Sequence, residues 1–346
     1  MLDFDVTPLP TDITESIQSK IDNKIKPLGS LGKLEKLALQ ICRIQNTLSP
    51  ELKKPTMLVF AGDHGINAEG VSVFPQEVTY QMVINFLNGG AGISVFAKQS
   101  GMDIKVVDAG VKYNFEPQPN LIIAKIAEGT KNFLHEPAMT KEQCLKAINK
   151  GAEILAQIHK EGCNVVGFGE MGISNTSPSS VILSILCDIP IEDCVGRGAG
   201  IGDKMLEKKK EVLKKAIENN LKSKEPLDVL TTFGGLEISM LIGAMIKAAE
   251  LKMVIIIDGF INSSALLLAS RLYPNITEYC IFSHKSKEKA HINLLKELGA
   301  DTILDLDLHL GEGTGAAIAY PIIESAVVFL NNMSSYDDVG VSNVIE

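Results

Sequence analysis

The stretch Val165-Val166-Gly167-Phe168-Gly169-Glu170-Met171-Gly172-Ile173-Ser174-Asn175-Thr176-Ser177-Pro178 decides the fold. It opens as a short apolar run, the pattern of a buried parallel strand. Glycine, carboxylate and hydroxyl residues follow. That is the make-up of a loop at the carboxyl end of a strand, where open α/β sheets bind ligands. Gly167, Gly169 and Gly172 spell a literal G-x-G-x-x-G, and Asp188 lies near the offset of a ribose-binding acid, so a dinucleotide reading is open. Glu170 opposes it, because a carboxylate inside the loop repels a pyrophosphate. Residues 173–178 also read as a Ser/Thr/Asn loop rather than the opening of a helix. Such a loop can instead cradle one phosphomonoester through backbone N–H groups and hydroxyls. A plain structural turn is the third reading.

Outward from this stretch, similar apolar runs recur at residues 56–61, 104–109, 253–257, 279–282 and 302–306, and residues 121–126 read as an edge strand. Helical periodicity fills residues 76–87, 141–160, 203–219, 237–250 and 285–298 between them. This alternation predicts a doubly wound, mostly parallel α/β sheet. Two helices, at residues 11–25 and 31–47, precede every strand. A last one, at residues 316–330, has no strand after it and is expected to pack with them.

Polar and glycine residues follow each strand. They are Gly62-Asp63-His64-Gly65, Asp108-Ala109-Gly110, Asp258-Gly259-Phe260, Ser283-His284-Lys285-Ser286 and Gly311-Glu312-Gly313-Thr314-Gly315. The last supports two readings. One is a tight strand-to-helix turn, with Glu312 favouring the helix N-terminus. The other is a carboxylate held on a rigid turn at the active edge, suited to a general base. The loop Gly196-Arg197-Gly198-Ala199-Gly200-Ile201-Gly202 reads equally as an anion contact or a connection. Asp63 and His64, with His284 and His291, suggest a metal, but no carboxylate–His set has ligand spacing, so a hydrogen-bonded histidine is expected. There is no G-x-S-x-G elbow and no Walker A loop.

Composition narrows the classes. Of 346 residues, 45% are hydrophobic and 22% charged, enough apolar surface to fold a core. A net charge of −9 argues against a nucleic-acid partner. The longest apolar runs, such as residues 253–257 and 265–269, fall well short of the ~18 residues of a membrane span. The first ten residues have neither a basic start nor an apolar h-region, so no signal peptide is expected. Six cysteines without a C-x-x-C pair read as reduced, mostly buried thiols.

Seven motifs, taken together and in order, carry a resemblance. They are Lys26-Pro-Leu-Gly-Ser-Leu-Gly-Lys-Leu-Glu35, Gly62-Asp-His-Gly-Ile66, Glu69-Gly-Val-Ser-Val-Phe-Pro-Gln-Glu-Val-Thr79, Gly167 to Thr176, Thr232-Phe-Gly-Gly-Leu-Glu237, Asp258-Gly-Phe260 and Leu310-Gly-Glu-Gly-Thr-Gly315. From about residue 10 to about 335 the chain resembles the nicotinate-nucleotide–dimethylbenzimidazole phosphoribosyltransferase family. The resemblance implies transfer of phosphoribose from nicotinate mononucleotide to 5,6-dimethylbenzimidazole or a related base. The products would be the α-riboside 5′-phosphate and nicotinate, in cobalamin lower-ligand synthesis. It further implies a Rossmann-like large domain over residues 50–320 and a small helical domain from residues 1–49 with 321–346. A cytoplasmic homodimer without metal or organic cofactor is also implied.

By the same resemblance Glu312 is the base and Glu170 faces the base or ribose. Gly172, Ile173, Ser174, Asn175, Thr176, Lys209 and Gly313 meet the nucleotide and its phosphate, although Lys208 and Lys210 flank Lys209. Phe74, Met82 and Leu310 meet the aromatic base. Ala199 stands where many relatives carry a hydroxyl. Two other readings stay open: a NAD-dependent oxidoreductase on the Gly167 loop, and a non-catalytic protein that senses a nucleotide.

Overall fold

The computed structural model describes residues 3–198 and 200–339. Its strands are β1 (Thr56–Gly62), β2 (Asp103–Gly110), β3 (Leu121–Ile123), β4 (Val165–Met171), β5 (Val254–Ile257) and β6 (Cys280–Phe282). They form one sheet in the order β3-β2-β1-β4-β5-β6, with every pairing parallel. The order reverses between β1 and β4, which is the topological switch point of a doubly wound fold. β1 and β5 are buried along their whole length, as a sheet covered on both faces requires.

The helices are α1 (Thr14–Asp22), α2 (Lys33–Gln45), α3 (Glu77–Leu87), α4 (Gly92–Gln99), α5 (Lys141–Lys160), α6 (Thr176–Leu186), α7 (Ile191–Cys194), α8 (Asp203–Asn220), α9 (Pro226–Phe233), α10 (Leu236–Glu250), α11 (Phe260–Leu272), α12 (His291–Glu297), α13 (Thr314–Asn332) and α14 (Tyr336–Val339). Local chemistry sets several ends. Thr140 and Gln143 close a capping box on α5, and Pro226 occupies the first turn of α9. Pro321 lies inside α13, where it leaves the Ala317 carbonyl without its helical donor. Ser100 Oγ donates to that carbonyl at 2.7 Å, so the helix runs on.

α13 packs against α2 and α4. Lys24 and Ser335 form an isolated antiparallel bridge that ties the two ends of the chain together. Among the described helices α13 alone has the length and composition of a membrane span, and most of it is buried in the core.

Two sequence expectations fail here. Residues 302–306 are not a strand; Leu304 alone bridges to His284. Ile303 and Leu304 donate to the Phe282 and Ser283 carbonyls at 3.0 and 2.9 Å, but this short ladder stops at Asp305, exposed Leu306 and Asp307. The helix expected over residues 285–298 starts only at His291, because the segment before it is a loop that reaches the cavity described next. α6 and α11 went unpredicted for a common reason. Their first turns, Thr176-Ser-Pro-Ser-Ser180 and Phe260-Ile-Asn-Ser-Ser264, are rich in residues that favour caps and turns and so read as loop.

Candidate active site

A cavity of about 390 Å³ opens at the carboxyl edge of the sheet. Loops after β1, β4, β5 and β6 and the turn before α13 line it. Of the residues expected from sequence, Phe74, Met82, Glu170, Gly172, Ile173, Ser174, Asn175, Thr176, Lys209, Leu310 and Glu312 all line it. Gly313 does not. Its N–H donates to Asp258 Oδ2 at 3.2 Å, which removes it as a phosphate donor.

The G-x-G-x-x-G is not a phosphate turn. Gly167 and Gly169 lie within β4. A Cβ on Gly167 would strike the Met57 sulfur, and one on Gly169 would strike the Glu312 carbonyl oxygen. These glycines let the strand approach its neighbours, above all the turn that carries Glu312. Asp188, the would-be ribose acid, pairs with Lys224 on the surface. The dinucleotide reading therefore fails on geometry.

The loop of residues 172–176 is shorter than its sequence suggested, because α6 opens at Thr176. Ser174 holds a left-handed φ of 79°, an uncommon conformation for a side-chain-bearing residue. Thr79 Oγ1 accepts the Ile173 N–H at 3.1 Å and pins the loop to α3. Lys209 is the buried lysine of α8, and its Nζ donates to Thr176 Oγ1 at 2.8 Å. Burial pushes its ammonium down to about 8. Lys210 instead pairs with Glu207 on the outer face. Thus the charge run of residues 204–215 is a solvated face with one lysine turned inward.

Glu312 sits between Gly311 and Gly313, and all three have positive φ, at 81°, 65° and 94°. Asp258 holds the turn by accepting the N–H groups of Gly313 and Ala316 at 3.2 and 3.1 Å. Burial raises the Glu312 carboxyl above its ordinary value, against the opposing Ile93 N–H that donates to it. The helix end beside this carboxylate is thus that of α4, where Ile93 lies, as well as its own. Glu170 on β4 accepts from Asn175 Nδ2 and from the Glu312 N–H. Burial, helped by nearby Asp258, pushes it up to about 7.

The histidines divide. His64 is fully buried and paired with Glu237 on α10. Burial alone would lower it, but the Glu237 carboxylate prevails and raises it. Among the described residues no group of three or more His, Cys, Asp or Glu side chains is arranged to hold a metal. His284 lines the cavity. Arg197, Gly198 and Ile201 bring the glycine-dense loop to the cavity, where Arg197 pairs with Asp203; Ala199 lies outside the described residues. Asn262 also lines the cavity and belongs to none of the sequence motifs, and Ser286, from the loop of residues 283–286, joins it there. Only the tertiary fold brings α11 and the loop after β6 beside Lys209.

A family model described as phosphoribosyltransferase matches residues 6–341. Nicotinate-nucleotide–dimethylbenzimidazole phosphoribosyltransferase of Dechloromonas aromatica is 51% identical over 346 residues, covering 99% of each chain. The protein of the same name from Parabacteroides distasonis is 48% identical over 343 residues, again covering 99% of each. Two crystal structures from Thermus thermophilus superpose on the fold. CobT gives a TM-score of 0.93 at 36% identity, over 96% of this chain and 100% of that one. The other, of nicotinate-nucleotide–dimethylbenzimidazole phosphoribosyltransferase, gives 0.92 at 35% identity, over 97% and 100%.

Proposed function

The chain belongs to the nicotinate-nucleotide–dimethylbenzimidazole phosphoribosyltransferase family, and on that premise we propose how its cavity performs the transfer. The enzyme is a pentosyltransferase of cobalamin lower-ligand synthesis: it moves phosphoribose from nicotinate mononucleotide to dimethylbenzimidazole or a related base. Nicotinate leaves as a neutral pyridine ring, so its departure needs no general acid. The incoming benzimidazole attacks C1′ from the opposite face, which inverts β to α. It must lose its N–H proton, and one base suffices.

Glu312 takes that proton. The observation that carries this reading is a buried carboxylate on a left-handed turn, beside Leu310, with Phe74 and Met82 on the same cavity wall. An apolar wall suits a flat aromatic base, and a raised carboxyl pKa suits proton acceptance near neutrality. Glu170 stands where positive charge develops on the ribose, and a carboxylate there stabilises it. Residues 172–176 and Lys209 hold the 5′-phosphate, with the Lys209 ammonium and the Thr176 N–H at the start of α6 as donors. Incubation with nicotinate mononucleotide and a panel of bases, read by product mass, tests the whole assignment. Binding of the nucleotide with no nicotinate release would favour the sensing protein instead.

The same reading includes a large domain over residues 50–320 and a small helical one from residues 1–49 with 321–346, of which residues 1–2 and 340–346 lie outside the described part. The contact between α2 and α13 supports it. It also includes a cytoplasmic homodimer. Exposed Val73, Phe74, Tyr113 and Ile123 offer apolar surface for a partner copy, and sedimentation at micromolar concentration tests the assembly.

A further inference from the structure

Among the described residues, every buried polar side chain on the cavity wall but one is engaged within the protein. Asn175 bonds Glu170, Lys209 bonds Thr176, and Ser174 Oγ accepts from Asn67. Asp258 and Glu312 accept backbone N–H groups. His284 Nδ1 meets Ser283 Oγ, and Ser286 Oγ accepts the Glu288 N–H. The exception is Asn262. It is 1% exposed, lines the cavity, and has no protein partner for either Nδ2 or Oδ1. A buried amide left in this state destabilises the free protein, and such groups call for an explanation.

Its position supplies one. Asn262 is the third residue of α11, a helix of 13 residues whose cap, Gly259, has no side chain to bond the first-turn N–H groups. Gly259, Phe260, Ile261 and Asn262 all line the cavity, so the positive end of the helix opens onto it. Ser286 lies beside this end. Its N–H donates to His291 Nδ1 at 2.9 Å, which makes Nδ1 the acceptor of that ring. The protonated Nε2 then meets Ser263 Oγ on α11 at 3.0 Å. This relay ties Ser286 to α11, and the Ser286 hydroxyl proton is free to point at a ligand.

Two uncapped helix ends therefore face one cavity: α6, with Lys209, and α11, with Asn262. Nicotinate mononucleotide carries two separate anionic groups, a phosphate and a ring carboxylate. We propose that the α11 end, with Asn262 Nδ2 and the Ser286 hydroxyl, receives the carboxylate of the nucleotide's pyridine ring, while α6 and Lys209 receive the phosphate. The inference rests on the transferase reading above. Neutral donors fit a carboxylate leaving group in a cavity already rich in Glu170, Asp258, Glu288 and Glu312, because they add no cation that would oppose charge at C1′. Asn262 so becomes a determinant of donor choice.

The test compares nicotinate mononucleotide with nicotinamide mononucleotide, which differs at that carboxylate alone. Dissociation constants by calorimetry and kcat/KM are measured for the wild type, Asn262→Asp, Asn262→Ala and Asn262→Leu. Inorganic phosphate serves as a competing probe of the other subsite. The wild type should prefer the acid. Asn262→Asp should reduce that preference by about 10- to 100-fold, the loss expected of a hydrogen bond to a charged group. Asn262→Ala and Asn262→Leu should move the same way. Inhibition by phosphate should not change. Unliganded Asn262→Leu should melt no lower than the wild type, since no native bond is lost. An unchanged preference, or loss of phosphate inhibition in its place, overturns the assignment. A wild type that binds nicotinate mononucleotide without preferring it overturns only this inference, whereas one that fails to bind it overturns the transferase reading as well.

Discussion

The Glu312 carboxylate accepts the backbone N–H of Ile93 at 3.1 Å, across 219 residues of sequence. Ile93 is the second residue of α4, so the carboxylate rests against the positive end of a helix other than its own. That contact favours the ionised form, and burial outweighs it. The bond also orients the side chain, since one oxygen is held by Ile93 and the other is left to meet substrate.

Glu312→Gln keeps the shape of the turn and an acceptor for Ile93 but cannot take a proton. Turnover should fall by about 10²–10⁴, the usual worth of a positioned base. Nucleotide affinity should change little. Steady-state kinetics paired with calorimetry separate the two, and near-normal kcat in a folded protein would remove Glu312 from this role.

The pH profile should have two limbs. Glu312 must be ionised to act, and its pKa is raised, so kcat should climb with pH through a midpoint above the ordinary carboxylate value of 4.5. Lys209 must be charged to attract phosphate, and burial brings it to about 8. KM for the nucleotide should therefore rise above pH 8. An acid limb at the ordinary carboxylate value would contradict the burial argument.

Stability should carry its own pH signature. Glu170 is raised from 4.5 to about 7 in the folded state, so the folded protein holds this proton more tightly than the unfolded chain. Its contribution is then fully present below pH 4.5 and lost as pH rises through about 7. Glu170→Gln, which cannot ionise, should flatten this part of the curve of denaturation midpoint against pH. A slope identical to the wild type would mean that Glu170 ionises freely.

Lys209→Met should raise KM for nicotinate mononucleotide with a smaller effect on nicotinic acid riboside, which lacks the phosphate. Methionine fills the buried stem and removes only the charge. Lys210→Met, on the solvated face, should leave both constants near normal. Equal losses with mononucleotide and riboside would place Lys209 elsewhere in the mechanism.

Treatment with excess EDTA should leave activity intact. Charge develops at C1′ rather than on a migrating phosphoryl group, and carboxylates stabilise it directly. Loss of activity restored by one added metal would reopen Asp63, His64 and His284 as ligands.

Apolar runs and turn glycines are local signals, so the parallel sheet and most of its helices were legible in the chain. The placing of Glu312, Glu170 and the loop of residues 172–176 at one cavity was also within reach of the chain, because each lies in a short glycine-rich motif. Residues 302–306 misled because an apolar run does not say how far its ladder with a neighbour extends, and here it ends after Leu304. α6 and α11 escaped because the serine, asparagine and proline of their first turns read as loop.

The tertiary structure alone decided which partners these residues have. It made Gly167 and Gly169 packing glycines rather than a phosphate turn, by placing Met57 and the Glu312 carbonyl against them. It turned Lys209 inward and left Lys210 half-buried in a pair with Glu207. It gave Gly313 to Asp258, and it left Asn262 buried at the cavity wall with no partner. The sequence by itself determined which residues could form strands, turns and a carboxylate site, since backbone preference and hydrophobic pattern act over a few residues. Burial, pairing and pKa depend on atoms brought together from distant parts of the chain, and those distances exist only once it has folded.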